Sequence, residues 1–403
     1  MADDEDVSSS QEIDFCTLGM FILDEIHYQP PQPSVYNILG GSGTYATLGA
    51  RIFSPAPEDS RKVSWIVDVG SDFPEEIVTQ LKSWQTSCLF RRDPSRLTTR
   101  GWNSFDENED RAFSYMTPKL RLEPKDLTIP LLSSKAYHLN CSPTRCISIV
   151  AHIMSMRRQL YLPKPLFIWE PVPDLCVPSE LLNLTNALPY IDVCSPNHSE
   201  LASLMGDSGI DAETGDVDTA AVERACEQLL ESMPLNQTFA LVIRAGAKGC
   251  YVAKNGGVLK RPKKKKRGHH GRGGLTPDMD MFSLFEGLMN DEGAYDFERR
   301  DEEEIDPGIE KWIPAYHTSQ EKVVDPTGGG NGFLGGMTVA LARGKGLEDA
   351  ALWGSVAASF AIEQVGVPEL GVDEEGMETW NGAQAGERVE ELRKRMLAGE
   401  TNT

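Results

Sequence analysis

The sequence predicts an α/β fold built on a doubly wound, mostly parallel sheet with helices on both faces. Three observations carry that expectation. Short apolar runs that read as strands alternate with amphipathic stretches over most of the chain. The 403 residues, 40% of them apolar, can bury one large core. Near the C-terminus, residues 322–339 read as a strand, a glycine turn and a helix in succession. Val323 and Val324 supply the strand, Asp325-Pro326-Thr327 leads into Gly328, Gly329 and Gly330, and Phe333, Leu334, Met337 and Leu341 follow at helical spacing. Such a turn holds anions. Glycines let the backbone fold tightly, and the first N–H groups of the helix lack internal partners and sit at the positive end of its dipole.

Composition sets outer limits. The formal net charge of −22 argues against general nucleic-acid binding but not against a small anionic ligand, because a local site can be positive. No apolar run reaches the length of a membrane span, and residues 1–15 are acidic and polar rather than a signal peptide. The eight cysteines are scattered, without a Cys-x-x-Cys pair, which points to reduced thiols in an intracellular protein. A cytoplasmic location is expected.

In chain order, residues 1–12 read as a disordered acidic tail. Phe15–Ile26 reads as one buried strand ending in carboxylates, and Gly40-Gly41 opens an alanine-rich helix. Val63–Val69 is a second strand, followed by Gly70-Ser71-Asp72. Residues 97–116 look like a hairpin with an acidic turn at 106–110. Strands are expected at 136–139, 166–169, 191–194 and 239–243, and an amphipathic helix at 148–160. Asn197-His198-Ser199-Glu200 reads as a helix N-terminus with an acidic first turn. Arg244-Ala245-Gly246-Ala247-Lys248-Gly249 is a glycine turn. Residues 258–310 form a charged insertion, basic over 260–272 and mostly acidic over 286–310. A solvated loop is the plain reading; a nuclear-import tag or a protein-partner surface is the sharper one. The sheet resumes at 312–316, a buried helix covers 348–365, and Val389, Leu392 and Met396 mark a final amphipathic helix.

These motifs, taken together, resemble the pfkB family of ribokinase-like carbohydrate kinases, and within it the fungal maintenance-of-killer subgroup. The family's C-terminal motif, Asp-Thr-x-Gly-Ala-Gly-Asp, stands here as Asp325-Pro326-Thr327-Gly328-Gly329-Gly330-Asn331. Gly40-Gly41 resembles its N-terminal signature, Asn197 and Glu200 its Asn-x-x-Glu, and Gly246 and Gly249 its Thr-x-Gly-x-x-Gly turn, with Arg244 in place of the small hydroxyl residue. The resemblance implies a single ribokinase-like domain over 13–257 and 311–400 with a small β lid near 97–116. It implies ATP and Mg²⁺ as cofactors and a sugar or nucleoside as substrate. Gly328, Gly329 and Gly330 would form the anion hole, with the residue at 331 beside the acceptor hydroxyl. Asp24, Gly40 and Gly41 would hold the acceptor, although Asp24 also reads as a solvated strand end. Asn197, Glu200, Arg244, Gly246, Gly249, Asp325 and Thr327 would serve the nucleotide, with Glu200 toward the metal.

Asn331 departs from the family pattern, because an amide takes no proton at neutral pH. Two functions follow: a phosphotransferase with weakened base catalysis, or a pfkB-fold pseudokinase that binds ligands as a scaffold. A third reading, the dinucleotide fingerprint formed by Gly330, Gly332 and Gly335, lacks an acidic residue about 20 positions beyond its last glycine.

Overall fold

In the first half of the chain, Val63–Val69, Ala136–Cys141 and Leu166–Pro171 are short strands rich in apolar residues, and each is followed by helical segments before the next strand. The computed structural model describes residues 12–29, 31–105, 111–233, 239–258 and 305–400. The expected acidic tail, and nearly all of the insertion with its import-tag and partner readings, lie outside them. The chain divides into Met1–Lys254 with Ile309–Thr403, and a second unit, Asn255–Gly308. In the second unit a strand at Gly257–Val258 pairs antiparallel with one at Ile305–Asp306.

The strands of the two main sheets of the larger unit, in chain order, are β1 (Phe15–Thr17), β2 (Ile22–His27), β3 (Val35–Gly40), β4 (Val63–Val69), β5 (Ser87–Arg92), β6 (Arg100–Phe105), β7 (Arg111–Tyr115), β8 (Ala136–Cys141), β9 (Leu166–Pro171), β10 (Val193–Cys194), β11 (Ala240–Arg244), β12 (Cys250–Lys254) and β13 (Ile309–Ile313); Leu370–Val372 and Glu378–Trp380 pair as a further small antiparallel sheet. Nine of them form one sheet in the order β13-β12-β11-β10-β9-β8-β1-β4-β5. All neighbours from β11 to β5 are parallel; β12 and β13 add an antiparallel edge. The chain runs outward from β1 through β4 and β5, then restarts at β8 on the other side of β1. That reversal opens a crevice at the carboxyl ends of the strands. Apolar side chains pack on both faces of the sheet. The helices Pro143–Gln159 and Thr219–Glu231 contribute to one core. Ser42–Ile52, Gly329–Ala342 and Leu347–Ala361 contribute to the other. The expected doubly wound sheet with helices on both faces is present.

A separate four-stranded sheet, β3-β2-β6-β7, makes the lid. The expected hairpin supplies β6 and β7; β2 and β3 complete the sheet. The single strand expected over 15–26 is therefore two strands in two sheets. Between them the chain bends at residues 18–21: the Gly19 N–H donates to Thr17 Oγ1 at 2.9 Å, and the Gly43 N–H donates to the Met20 carbonyl at 3.0 Å. A side chain at 19 would lie 2.6 Å from the Gly43 nitrogen, so the bend packs glycine against glycine.

A second correction concerns Val323 and Val324, which form no strand. Val324 is 61% exposed. The Val324 and Asp325 N–H groups both donate to the Ile362 carbonyl, at 2.8 and 3.2 Å, just past the end of Leu347–Ala361. Helix termini leave carbonyls open, and one of them substitutes here for a strand neighbour. That helix accordingly stops before the expected 365. Pro143–Gln159 starts five residues before the expected 148, with the Ser142 hydroxyl accepting the Arg145 N–H and a proline in the first turn. The sheet resumes at 309–313 rather than 312–316.

The helix Gly329–Ala342 is held by close approaches that only glycine allows. A Cβ at Gly335 would lie 1.9 Å from the Ala46 carbonyl oxygen, and one at Gly49 would lie 2.0 Å from that of Gly332. At its far end Arg343 donates to buried Asp14 at 2.9 Å and to the Phe53 carbonyl at 2.7 Å. Gly335→Ala must push the two helices apart and is expected to cost about 1–3 kcal/mol or more. Gly386→Ala, in an exposed helical position with open space around it, is expected to stabilise by up to about 1 kcal/mol. Urea unfolding of the two variants checks both.

Candidate active site

The turn 325–330 is a wall between two cavities. On one side, Pro326, Gly329 and Gly330 line a cleft of about 300 Å³ together with Arg244, Gly246, Gly249 and Phe333. On the other side, Asp325 and Thr327 line a tight pocket of about 10 Å³ with Asp24, Tyr45, Asn103 and Gly366. Of the residues read together from the sequence as nucleotide ligands, Arg244, Gly246 and Gly249 face the larger cleft. Asp325 and Thr327 face the smaller pocket instead.

The turn is built for exposed amides. Gly328 sits at φ +81°, and the Tyr45 ring occupies the place its side chain would take, 2.2 Å from an added Cβ. Asp325 Oδ1 accepts the Thr327 N–H at 2.9 Å, which fixes the entry to the helix. The Gly329 N–H donates to the Pro326 carbonyl at 3.2 Å and is spent. The N–H groups of Gly330 and Asn331 donate to no acceptor among the described residues, so two amides are open rather than the full set of three glycines. The Asn331 side chain starts from this first turn but lines neither cavity. Its Oδ1 is buried and has no hydrogen-bond partner among the described residues.

The smaller pocket is set by the lid. Asp24 lies inside β2, not at a strand end, and is 7% exposed. Its carboxylate fills the space above two glycines on the flanking strands: an added Cβ would lie 1.8 Å from Oδ2 at Gly40 and 2.3 Å from Oδ1 at Gly101. Gly41, at φ +92°, caps the helix Ser42–Ile52 and lines neither cavity. Asn103, on β6, and Tyr28 join this region; burial and the Asp325 charge push the Tyr28 hydroxyl pKa up. The sequence reading missed Asn103, Tyr28 and Gly101. The facing register of β2 and β6, which pairs Asp24 with Gly101 and Ile26 with Asn103, brings in Gly101 and Asn103; Tyr28 follows one residue past the end of β2.

Asn197 and Glu200 form a reciprocal cap at the start of the helix His198–Met205. Asn197 Oδ1 accepts the Glu200 N–H at 2.8 Å and Glu200 Oε2 accepts the Asn197 N–H at 2.7 Å. Neither lines the cleft; they reach it through Arg244. The Arg244 Nη2 donates to Glu170 Oε1 at 2.6 Å and to the Ser195 carbonyl at 2.9 Å, and lies 3.7 Å from Glu200 Oε2. Asn140 Nδ2 donates to the other Glu170 oxygen at 2.5 Å. Burial pushes the Glu200 carboxyl pKa up, with Arg244 pulling it down. Glu170, at the carboxyl end of β9, had no role in the sequence reading; the glutamate-proline pair after that strand was the only signal. Magnesium, which the resemblance implies, does not fit this donor set as it stands. Both Glu170 oxygens accept N–H donors, from Asn140 and Arg244, and Glu200 Oε2 accepts the Asn197 N–H, so the oxygens the protein would lend a metal are already engaged.

Behind this cluster His138 is fully buried. Its Nδ1 pairs with Thr17 Oγ1 at 2.9 Å, and Nε2 has no partner among the described residues. Burial lowers its pKa to about 4 from 6.5; Glu170 opposes the shift and Arg244 reinforces it. The folded protein therefore keeps His138 neutral where the unfolded chain protonates it. Stability from this group is complete above about pH 6.5 and falls as pH drops toward about 4, by about 3 kcal/mol at most. Unfolding free energies measured across that window are expected to show a slope that shrinks in His138→Gln.

Three comparisons bear on this site. The pfkB family carbohydrate kinase description matches residues 18–267 and 311–372. The protein MAK32 of Saccharomyces cerevisiae is 33% identical over 393 residues, covering 95% of this chain and 92% of that one. An uncharacterised protein of Schizosaccharomyces pombe is 29% identical over 392 residues, covering 95% and 93%. Among solved structures, ribokinase from Giardia lamblia superposes with a TM-score of 0.57 at 15% identity, covering 88% of this chain and 95% of that one. Among the described residues no helix is long and apolar enough to cross a membrane. With a ribokinase-like sheet, a four-stranded lid and a glycine turn between two cavities, the chain belongs to the pfkB family of carbohydrate kinases and, within it, to the MAK32-like group.

Proposed function

We propose that the chain binds ATP in the larger cleft and a small hydroxyl-bearing molecule, a sugar or nucleoside, on the lid side of the turn, where the pocket of about 10 Å³ must widen by lid opening to admit it, and transfers the terminal phosphoryl group slowly. The observation that carries this reading is the sharing of one turn between the two cavities. In-line transfer needs donor and acceptor on opposite sides of one anion-stabilising element. The open N–H groups of Gly330 and Asn331 would meet the charge that develops on the transferring group. Gly246 and Gly249 would bring backbone close to the nucleotide. Asp24 and Asn103 would hold acceptor hydroxyls, and lid closure would exclude water as a competing acceptor.

The transfer forms a bond from the acceptor oxygen to the terminal phosphorus. It breaks the bond to the bridging oxygen and releases ADP. The acceptor hydroxyl proton passes to an oxygen of the transferred phosphoryl group and from there to solvent, because the Asn331 amide accepts none. General-base catalysis is typically worth about 10²–10⁴-fold. Asn331→Asp, whose carboxylate must turn out of the buried position of the amide to reach the acceptor hydroxyl, is expected to raise turnover by at most about that factor, measured as ATP consumption against a panel of sugars and nucleosides. Slow but real wild-type turnover with one class of acceptor supports the kinase reading.

The second reading, a pseudokinase that binds nucleotide or sugar as a scaffold, is favoured by Asn331 and by the tie of Arg244 to Glu170 and Glu200. Ligand binding without wild-type turnover, with activity appearing only in Asn331→Asp, supports it. An absence of nucleotide binding contradicts the kinase reading, and an absence of both nucleotide and sugar binding contradicts the two together.

A further inference from the structure

Arg244 stands where the family pattern has a small hydroxyl residue, and the structure shows what that exchange does. The guanidinium is tied at one end and open at the other. Nη2 is fixed by Glu170 Oε1, the Ser195 carbonyl and the neighbouring Glu200. Nη1 donates to no acceptor among the described residues and sits directly against the glycine turn: a side chain at Gly330 would lie 2.0 Å from it. Nε is buried and also without a partner among the described residues. The side chain is only 13% exposed and lines the cleft beside the open amides of Gly330 and Asn331. The carboxylates around it are already supplied with donors, Glu170 by Asn140 and Glu200 by its helix cap. A planar, permanently charged fork placed beside backbone amides is suited to phosphate oxygens.

A divalent metal competes for the same ground. Magnesium demands oxygen ligands at about 2.0–2.1 Å in octahedral geometry. Beside water and the phosphates themselves, the protein oxygens it would draw on here are those of Glu170 and Glu200, and they face a guanidinium that cannot give up its charge. We infer that Arg244 is the built-in cation of the nucleotide cleft, so that this chain binds the phosphates of a nucleoside triphosphate without magnesium. The inference rests on the nucleotide reading of the cleft and deepens it. Arg244 acts here as a binding residue, held in place by Glu170 as a positioning residue.

Isothermal titration calorimetry of ATP into the full chain tests it, first in EDTA and then in excess MgCl2, with MgCl2 alone titrated separately. Wild-type affinity is expected to be nearly the same in both buffers, and MgCl2 alone to give no binding heat. Arg244→Thr is expected to lose about ten- to a hundredfold in EDTA, the usual worth of a charged hydrogen bond, and to recover affinity when magnesium is added. Arg244→Lys, which keeps the charge without the fork, is expected to fall between them in EDTA. Circular dichroism confirms that the variants are folded, and the wild-type comparison stands without them. Wild-type binding that requires magnesium overturns the inference while leaving the nucleotide reading intact. Wild-type binding in neither buffer overturns both.

Discussion

The close approach of two helices, Ser42–Ile52 and Gly329–Ala342, is the constraint on which the rest of the site depends. Their backbones meet through Gly49, Gly332 and Gly335, with carbonyl oxygens where side chains would otherwise stand. Contacts this short have little freedom to slide, because interiors are packed near crystal density. The same contact fixes the first turn of Gly329–Ala342 over the carboxyl ends of the sheet strands. Tyr45, on the first helix, then occupies the space left by Gly328 on the second. The turn is thereby held open at its amides and shut at its flanks.

From that fixed turn the two cavities take different characters. The larger cleft is rimmed by glycine turns and apolar side chains, with one guanidinium reaching in. The smaller pocket is made by the lid sheet, whose strands bring Asp24 and Asn103 over the opposite side of the turn. Asn331 leaves the same first turn with a buried oxygen that has no partner among the described residues. Its unpaired Oδ1 marks the position where a carboxylate would differ most, since a charged oxygen there would need a proton or a donor.

Much of the fold was legible in the sequence because its period and its punctuation agree. Strands of five to seven residues, such as Val63–Val69 with Trp65, Ile66 and Val67 and Ala240–Arg244 with residues 240–243, carry apolar runs at their centres, as parallel strands buried on both faces do. The glycine pairs at 40–41 and 246–249 and the run at 328–330 marked their turns correctly. What misled was local apolar character without tertiary context. Phe15–Ile26 reads as one strand, but the break at Gly19 is required by Gly43, a residue 24 positions later. Val323 and Val324 look like a strand, but the partner of that segment is the carbonyl of Ile362 at the end of a helix.

The candidate site was legible in its glycines and less so in its charges. Glycine need is local and leaves a mark in the sequence; charge pairing is not local. Glu170 and Arg244 are 74 positions apart and meet only because β9 and β11 both end on the same edge of the crevice. Asn197 and Glu200 were read as ligands, and the structure uses them first as a helix cap. The central claim is that the turn at 328–330 presents its open amides and Arg244 to the end of a triphosphate. A crystal structure of the chain with a non-hydrolysable ATP analogue tests it most directly. The account predicts the terminal phosphate within hydrogen-bond distance of the Gly330 and Asn331 nitrogens and of Arg244 Nη1. A phosphate chain lying elsewhere, with the Arg244–Glu170 pair untouched, would contradict it.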